Sequence, residues 1–197
     1  PWDISKSAGG SSGGSASALA SGQVFLATGN DLGGSLRTPA GFNGVVGLRP
    51  SPGLIPRGDR YMPFDTLWVE GPMARTVEDI ALMLDSMVGH NIGDPLSFNS
   101  KTGSFIESLK EDLNPISIAV SEDLNLVPVD SEVRKVFKTA IKKLSKLGLN
   151  INDYIPDFSG VLDAFKTLRG VLMASMLGDL VKTHKDLILE EIRKNVQ

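Results

Sequence analysis

Apolar positions recur at helical spacing in three stretches of the chain. Val133, Val136, Phe137, Ala140, Ile141, Leu144 and Leu147 follow the 3.6-residue period of an amphipathic helix, with Asp130 placed to cap it and Gly148 to end it. Ile80, Met83, Leu84 and Met87 define a second helix, opened by a capping box of Thr76 and Asp79 and stopped by Gly89. Phe158–Leu177 is mostly apolar and predicts a third, in which the stripe of Leu172, Met173 and Met176 reads as core. Ser12–Ser21 predicts a short helix whose small side chains allow close packing. Short apolar runs predict strands at Val24–Thr28, Gly44–Leu48, Ile116–Val120 and Leu149–Ile155, the first two buried. Pro50 and Pro52 stop the second run, and Gly29–Arg37 reads as a glycine-rich loop. Strands alternating with helices imply an α/β fold, a parallel or mixed sheet core flanked by helices.

Composition narrows the function classes. The 197 residues favour one domain, and its 41% hydrophobic and 22% charged residues are those of an ordinary globular protein. Character changes near residue 95: residues 1–70 are rich in Gly and Ser, whereas 107–150 and 179–197 are rich in Lys, Glu and Asp. The expected organisation is a single domain over 1–197, with a core carrying the Gly/Ser loops in 1–100 and an α/β extension in 101–197. A net charge of −3 gives no basic footprint for nucleic acid, and no apolar run reaches membrane-spanning length. With no cysteine, disulfides, Cys–zinc sites and Cys nucleophiles are excluded, and two histidines do not suggest a metal centre. The chain opens on Pro1-Trp2-Asp3 and stops within the helix-like Leu187–Ile192, so an internal piece of a longer protein is expected.

The chemistry-bearing stretch is Gly9–Pro50. It holds two dense Gly/Ser clusters, each with a serine directly after a glycine pair: Ser11 after Gly9-Gly10 and Ser35 after Gly33-Gly34. Consecutive glycines let backbone N–H groups converge with no side chain in the way. A serine at the end of such a loop places its hydroxyl beside those donors, and a following helix adds positive potential. These are the parts that amide hydrolysis needs for a nucleophile and an oxyanion site. The plainer reading of either cluster alone is a tight turn with a serine helix cap. Gly9-Gly10-Ser11-Ser12-Gly13 also fits G-x-S-x-G, with His90 or His184 as partner, but Trp2–Ala8 lacks the apolar strand that such an elbow requires. A phosphate-binding module is a further alternative, although neither G-x-x-x-x-G-K-[ST] nor G-x-G-x-x-G occurs.

Taken together the clusters closely resemble the amidase-signature family. Its signature, GGSSGG followed by small residues and then a loop of the type GTDxGGSIRxPAxxxGxxGLKP, is matched by Gly9–Gly14, Gly29–Ala40 and Gly44–Pro50, with Ser35 following Ser11 by 24 positions. Pro1-Trp2-Asp3 resembles the lead into that signature, and Gly71–Thr76 the lead into the next helix. The resemblance implies an α/β/α amidase-signature fold, incomplete here, and hydrolysis of an amide to a carboxylate through a Ser–Ser–Lys triad. Ser35 would be the nucleophile and Ser11 the bridging serine, held by a cis peptide after Gly10. The amides of Leu32, Gly33, Gly34 and Ser35 would form the oxyanion hole. Asp31 and Arg37 would hold the loop, and Ser12 would cap the helix or support Ser11. The family's lysine lies upstream of GGSSGG, and Lys6 does not match its position, so the 197 residues alone are expected to be inactive.

The resemblance further implies a small-molecule amide substrate, no cofactor or metal, no nucleic-acid or membrane partner, and a cytoplasmic location; a homodimer stays open. The amidase component of a tRNA-dependent glutamine amidotransferase is the runner-up within the family. That component usually carries Ser-Ser-Leu-Asp-Gln before Gly-Pro, where this chain has Met62–Glu70. A non-catalytic relative is the remaining alternative.

Overall fold

Antiparallel pairing organises the Gly/Ser-rich part of the chain. The computed structural model describes residues 3–58, 60–101, 103–112 and 116–196, so the opening Pro1-Trp2 lies outside the described residues. Strand β1 (Leu26–Asp31) pairs along its length with β3 (Val69–Ala74), from Leu26 opposite Ala74 to Asp31 opposite Val69. The two-residue β2 (Val46–Gly47) lies on the other side of β3. The central strand β3 is not foreshadowed by the hydrophobic pattern, because Glu70-Gly71-Pro72 interrupts it. Proline normally argues against a central strand, since it has no N–H for the ladder. Here β2 ends opposite Met73, and Pro72 needs only to accept, which it does from the Leu48 N–H at 3.1 Å.

Helices cover this sheet through small contacts. Helix α1 (Gly13–Ala20) buries Ala16 and Leu19 against Leu36, Ala40 and Met73. Helix α2 (Arg37–Asn43) starts at the last residue of the expected glycine-rich loop; Pro39 sits in its first turn, where a missing N–H costs nothing. Gly44 closes α2 with a left-handed φ of 67°. Helix α3 (Val77–Met87) starts as expected, the Thr76 hydroxyl accepting from the Asp79 N–H at 3.1 Å, and buries Ile80 and Leu84 against Ile55 and Ala74. The short α4 (Phe105–Ser108) is pinned to it by Asp85, whose carboxylate accepts from the Phe105 N–H at 2.6 Å and the Ser104 hydroxyl at 2.7 Å.

The expected buried strand at Val24–Thr28 is corrected in place and in burial. Pairing begins at Leu26 and runs on through Gly29-Asn30, and among the described residues β1 lies at the edge of its sheet. Phe25 is 81% exposed, with the Arg75 guanidinium 5.8 Å above its ring.

Two compact units are distinguished by their internal contacts: residues 1–110 with 168–197, and residues 111–167. In the second, β4 (Ser117–Val120) and β5 (Asn150–Asp153) pair in parallel around the connecting α5 (Ser131–Lys146), as a crossover helix permits. The Asp130 carboxylate caps α5 by accepting from the Glu132 N–H at 2.7 Å. The long α6 (Val161–Thr183) buries Leu172, and α7 (Glu190–Val196) ends the described chain, its Asn195 bonded to Arg169. The α/β class is thus realised with antiparallel strands in one sheet and parallel strands in the other. Among the described residues no helix is long and apolar enough to cross a membrane, and no group of three His, Cys, Asp or Glu is arranged for a metal.

The cap on α3 can be weighed directly. Thr76→Ala removes one amide's acceptor and lowers stability by about 1 kcal/mol in urea unfolding, whereas Thr76→Ser stays within a few tenths of the parent.

Candidate active site

A single carboxylate organises the loop after β1. Asp31, the last residue of the strand, is wholly buried. Its oxygens accept from the Gly34 N–H at 2.7 Å and the Leu36 N–H at 3.2 Å. They also accept from Arg37 Nε at 3.0 Å, Arg37 Nη2 at 3.1 Å and Arg49 Nη1 at 3.1 Å. Burial by itself would raise the Asp31 pKa. The hydrogen bonds from Arg37, the two amides and the Arg37 charge outweigh it and hold the carboxyl well below the usual carboxylate range. The same pairing raises the Arg37 pKa. Arg49 goes further, bonding the Asp31 carbonyl and, through Nη2, the Leu67 carbonyl at 2.9 Å.

Ser35 stands between two anchored neighbours. Gly34, tied to Asp31, has φ 113°, a value that side chains other than glycine's rarely adopt. Leu36 is fully buried in a hollow made by missing side chains. A Cβ on Gly29 would meet Leu36 Cδ2 at 2.8 Å, and one on Gly71 would meet Leu36 Cδ1 at 2.5 Å. These glycines face each other across β1 and β3, so Leu36 drops onto bare sheet backbone.

The first Gly/Ser cluster is bonded to the second. The Ser12 N–H donates to the Ser35 carbonyl at 3.2 Å. The Ser12 hydroxyl accepts from the Asn30 N–H at 3.2 Å and donates to the Asn30 carbonyl at 3.3 Å. It makes no cap bond to its own helix, so the capping role expected for Ser12 gives way to a tie between α1 and β1. Ser15 adds a second tie, donating to the Thr28 carbonyl at 2.8 Å. The Gly10–Ser11 peptide bond is cis, and Ser11 is solvent-exposed.

Of the four amides expected to face an oxyanion, that of Gly34 is engaged with Asp31. Among the described residues the amides of Leu32, Gly33 and Ser35 donate to no carbonyl. Lys6 is exposed in the turn that follows Asp3, and His90 and His184 are exposed as well. Residues 3–8 contain no strand, which removes the context of a G-x-S-x-G elbow.

Sequence reasoning missed Arg49 as a partner of Asp31, although it stands in the same motif. It also missed a buried ionic cluster. Asp94 accepts from Arg60 Nη2 at 2.7 Å and from the Arg57 N–H at 2.9 Å. Arg57 lies 3.7 Å from Asp65, 3.5 Å from Glu70 and 4.7 Å above the Trp68 ring. Burial pushes the Glu70 carboxyl up, against the pull of Arg57. For Asp94 burial is overcome by the Arg57 and Leu96 amides and by Arg60, and its pKa falls. The charges were visible in sequence, but only the return of the chain at Asp94 brings them together.

The Asp31 clamp is testable by stability. Asp31→Asn leaves two guanidinium groups short of a buried anion and costs about 3 kcal/mol in urea unfolding at pH 7. Its native pKa lies below the unfolded value of about 3.9, so its contribution is complete above that pH and fades as pH falls towards the native value. The variant therefore loses less stability than the parent between about pH 4 and pH 2.

A family model described as Amidase matches residues 1–194. Two similar curated relatives are glutamyl-tRNA(Gln) amidotransferase subunits. That of Alcanivorax borkumensis is 38% identical over 77% of this chain and 31% of its own length. That of Ligilactobacillus salivarius is 40% identical over 77% and 31%. The chain thus spans about 31% of the curated relatives it matches. Among solved structures, a bacterial aryl acylamidase of the amidase-signature family superposes with TM-score 0.88 at 27% identity, over 100% of this chain and 42% of that one. A 6-aminohexanoate cyclic dimer hydrolase superposes with TM-score 0.80 at 32% identity, over 92% and 39%. A match over nearly the whole chain, on the loops that Asp31 and Leu36 hold in place, makes this chain a member of the amidase-signature family.

Proposed function

We propose that the chain carries the nucleophile of an enzyme that hydrolyses amide bonds. Ser35 Oγ attacks the amide carbonyl carbon, the C–N bond breaks as the amine leaves with a proton, and water then releases the carboxylate from the acyl-serine. The observation that carries the reading is the Ser12 N–H bonded to the Ser35 carbonyl at 3.2 Å, which brings the two Gly/Ser motifs side by side. Ser11 then relays the Ser35 proton to a lysine that, by the family resemblance, belongs to a longer chain ahead of Pro1. That amine must be neutral to accept it, which requires burial, and the exposed Lys6 does not meet the condition. The amides of Leu32, Gly33 and Ser35 are the donors left for the oxyanion, each worth about 3 kcal/mol of barrier in such sites. Asp31 and Arg37 act as positioning residues.

The relatives named as amidotransferase subunits favour a second reading, in which the same chemistry releases ammonia from glutamine inside a larger assembly. The segment Met62–Glu70 lacks the Ser-Ser-Leu-Asp-Gln stretch usual in those proteins, which favours a stand-alone amidase.

In the longer enzyme, a fluorophosphonate probe labels Ser35 and blocks amide turnover. Ser35→Ala abolishes labelling and lowers kcat by about 10³-fold or more, with the folded state intact. Full labelling of the Ser35→Ala protein would remove Ser35 from its role. The 197-residue chain assayed alone shows no turnover of a simple amide at enzyme-like rates; such turnover would show that no further base is needed.

A further inference from the structure

Among the described residues no hydrogen bond holds the Ser11 hydroxyl, so its place is set by the chain on either side of it. On the following side, Ser12 is bonded to Ser35 and to Asn30. On the preceding side the partner is Asn43, the last residue of α2. Its side-chain Nδ2 donates to the Ala8 carbonyl at 2.7 Å and to the Pro39 carbonyl at 2.8 Å. Its Oδ1 accepts from the Ser17 hydroxyl of α1 at 3.4 Å. One primary amide thus reaches the chain before Ser11, the helix after Ser11 and the helix after Ser35.

The bond to Pro39 alone would be ordinary helix-end support, a side chain satisfying a carbonyl of its own last turn. The bond to Ala8 crosses 35 positions and uses the donor hydrogen that such support leaves over. A close approach lies beside it. A Cβ on Gly9 would meet Pro39 Cα at 3.0 Å and Pro39 N at 3.2 Å, so bare backbone at Gly9 rests on the first turn of α2. Ala8 and Gly9 are thereby seated on the helix that begins just after Ser35.

We propose that Asn43 is a positioning residue of the amide hydrolysis, acting through Ser11. Its two N–H donors fix the approach to Ser11 against the helix that has Ser35 at its entrance, and so hold the Ser11 hydroxyl within proton-transfer reach of Ser35 Oγ. The inference rests on Ser35 as nucleophile and Ser11 as relay. Proton transfer needs heavy atoms about 2.6–3.2 Å apart. Misplacement by about 1 Å can cost roughly 10²-fold in rate. The tie orders a proton path and not a substrate contact, so its loss falls on kcat rather than on KM.

The test compares variants of the longer enzyme by the rate of fluorophosphonate labelling and by amide turnover, with urea unfolding as the check on folding. Asn43→Asp keeps the shape of the side chain and replaces both donor hydrogens by an acceptor oxygen facing two carbonyls. It slows labelling and lowers kcat by about tenfold or more, with KM within about threefold of the parent. Asn43→Ala removes the donors without adding charge and gives losses of the same size, which keeps the comparison open should the Asp variant not fold. Ser11→Ala alone also slows labelling, and in that background Asn43→Ala slows it no further, as expected of two residues acting as one unit. Labelling at the parent rate in both Asn43 variants overturns the proposal. So does an equal slowing with and without the Ser11 hydroxyl, which would mark Asn43 as general support for α2. Labelling undiminished by Ser35→Ala removes the hydrolase reading and this proposal with it, whereas Ser35-dependent labelling that ignores Asn43 removes this proposal alone.

Discussion

A buried anion at the end of a strand is the constraint from which the rest of the site follows. Asp31 has no access to water, and an unpaired carboxylate there would cost several kcal/mol. The chain meets that demand by wrapping the next six residues around it, with the Gly34 and Leu36 amides and the Arg37 side chain pointing inward. Ser35 is the residue between those two amides, so its place is a by-product of neutralising its neighbour. Arg49 extends the same electrostatics to Leu67 and thereby couples the loop to the segment that enters β3.

The second ionic cluster does comparable work further along. Residues 60–68 form no helix or strand, yet Arg57, Arg60, Asp65 and Asp94 hold them in one course. Both clusters use arginine rather than lysine. A planar fork of donors can bind a carboxylate and a backbone carbonyl at once, as Arg49 and Arg60 do here.

Much of the fold was legible because local signals agreed with tertiary demand. Helices α3 and α5 showed both their apolar spacing and their caps, and the Gly/Ser loops showed their spacing. Strand β3 was hidden by Gly71 and Pro72, whose fitness for a central strand depends on β2 being only two residues long. Helix α2 was hidden by Pro39 and Gly41, which weaken any local preference for helix. Ser12 looked like a cap, but the strand amide of Asn30 competes for its hydroxyl, and that competitor lies 18 residues away. Arg49 as a partner of Asp31 and the cluster around Asp94 were illegible for the same reason: pairing across distance decides which charges are buried.

The hollow beneath Leu36 bears on how this sequence can drift. Glycine is a single letter in the sequence but stands here for two unequal demands. At Gly14 and Gly41 an added methyl would meet nothing within 4 Å, and the positions are open to ordinary substitution. At Gly29 and Gly71 the absence of a side chain is itself the binding surface for another residue. A smaller residue at position 36 would not free those two sites by itself, because a Cβ on Gly71 also meets the Leu48 carbonyl oxygen and one on Gly29 the Ser12 hydroxyl at 2.6 Å: bare backbone there is held from several sides at once.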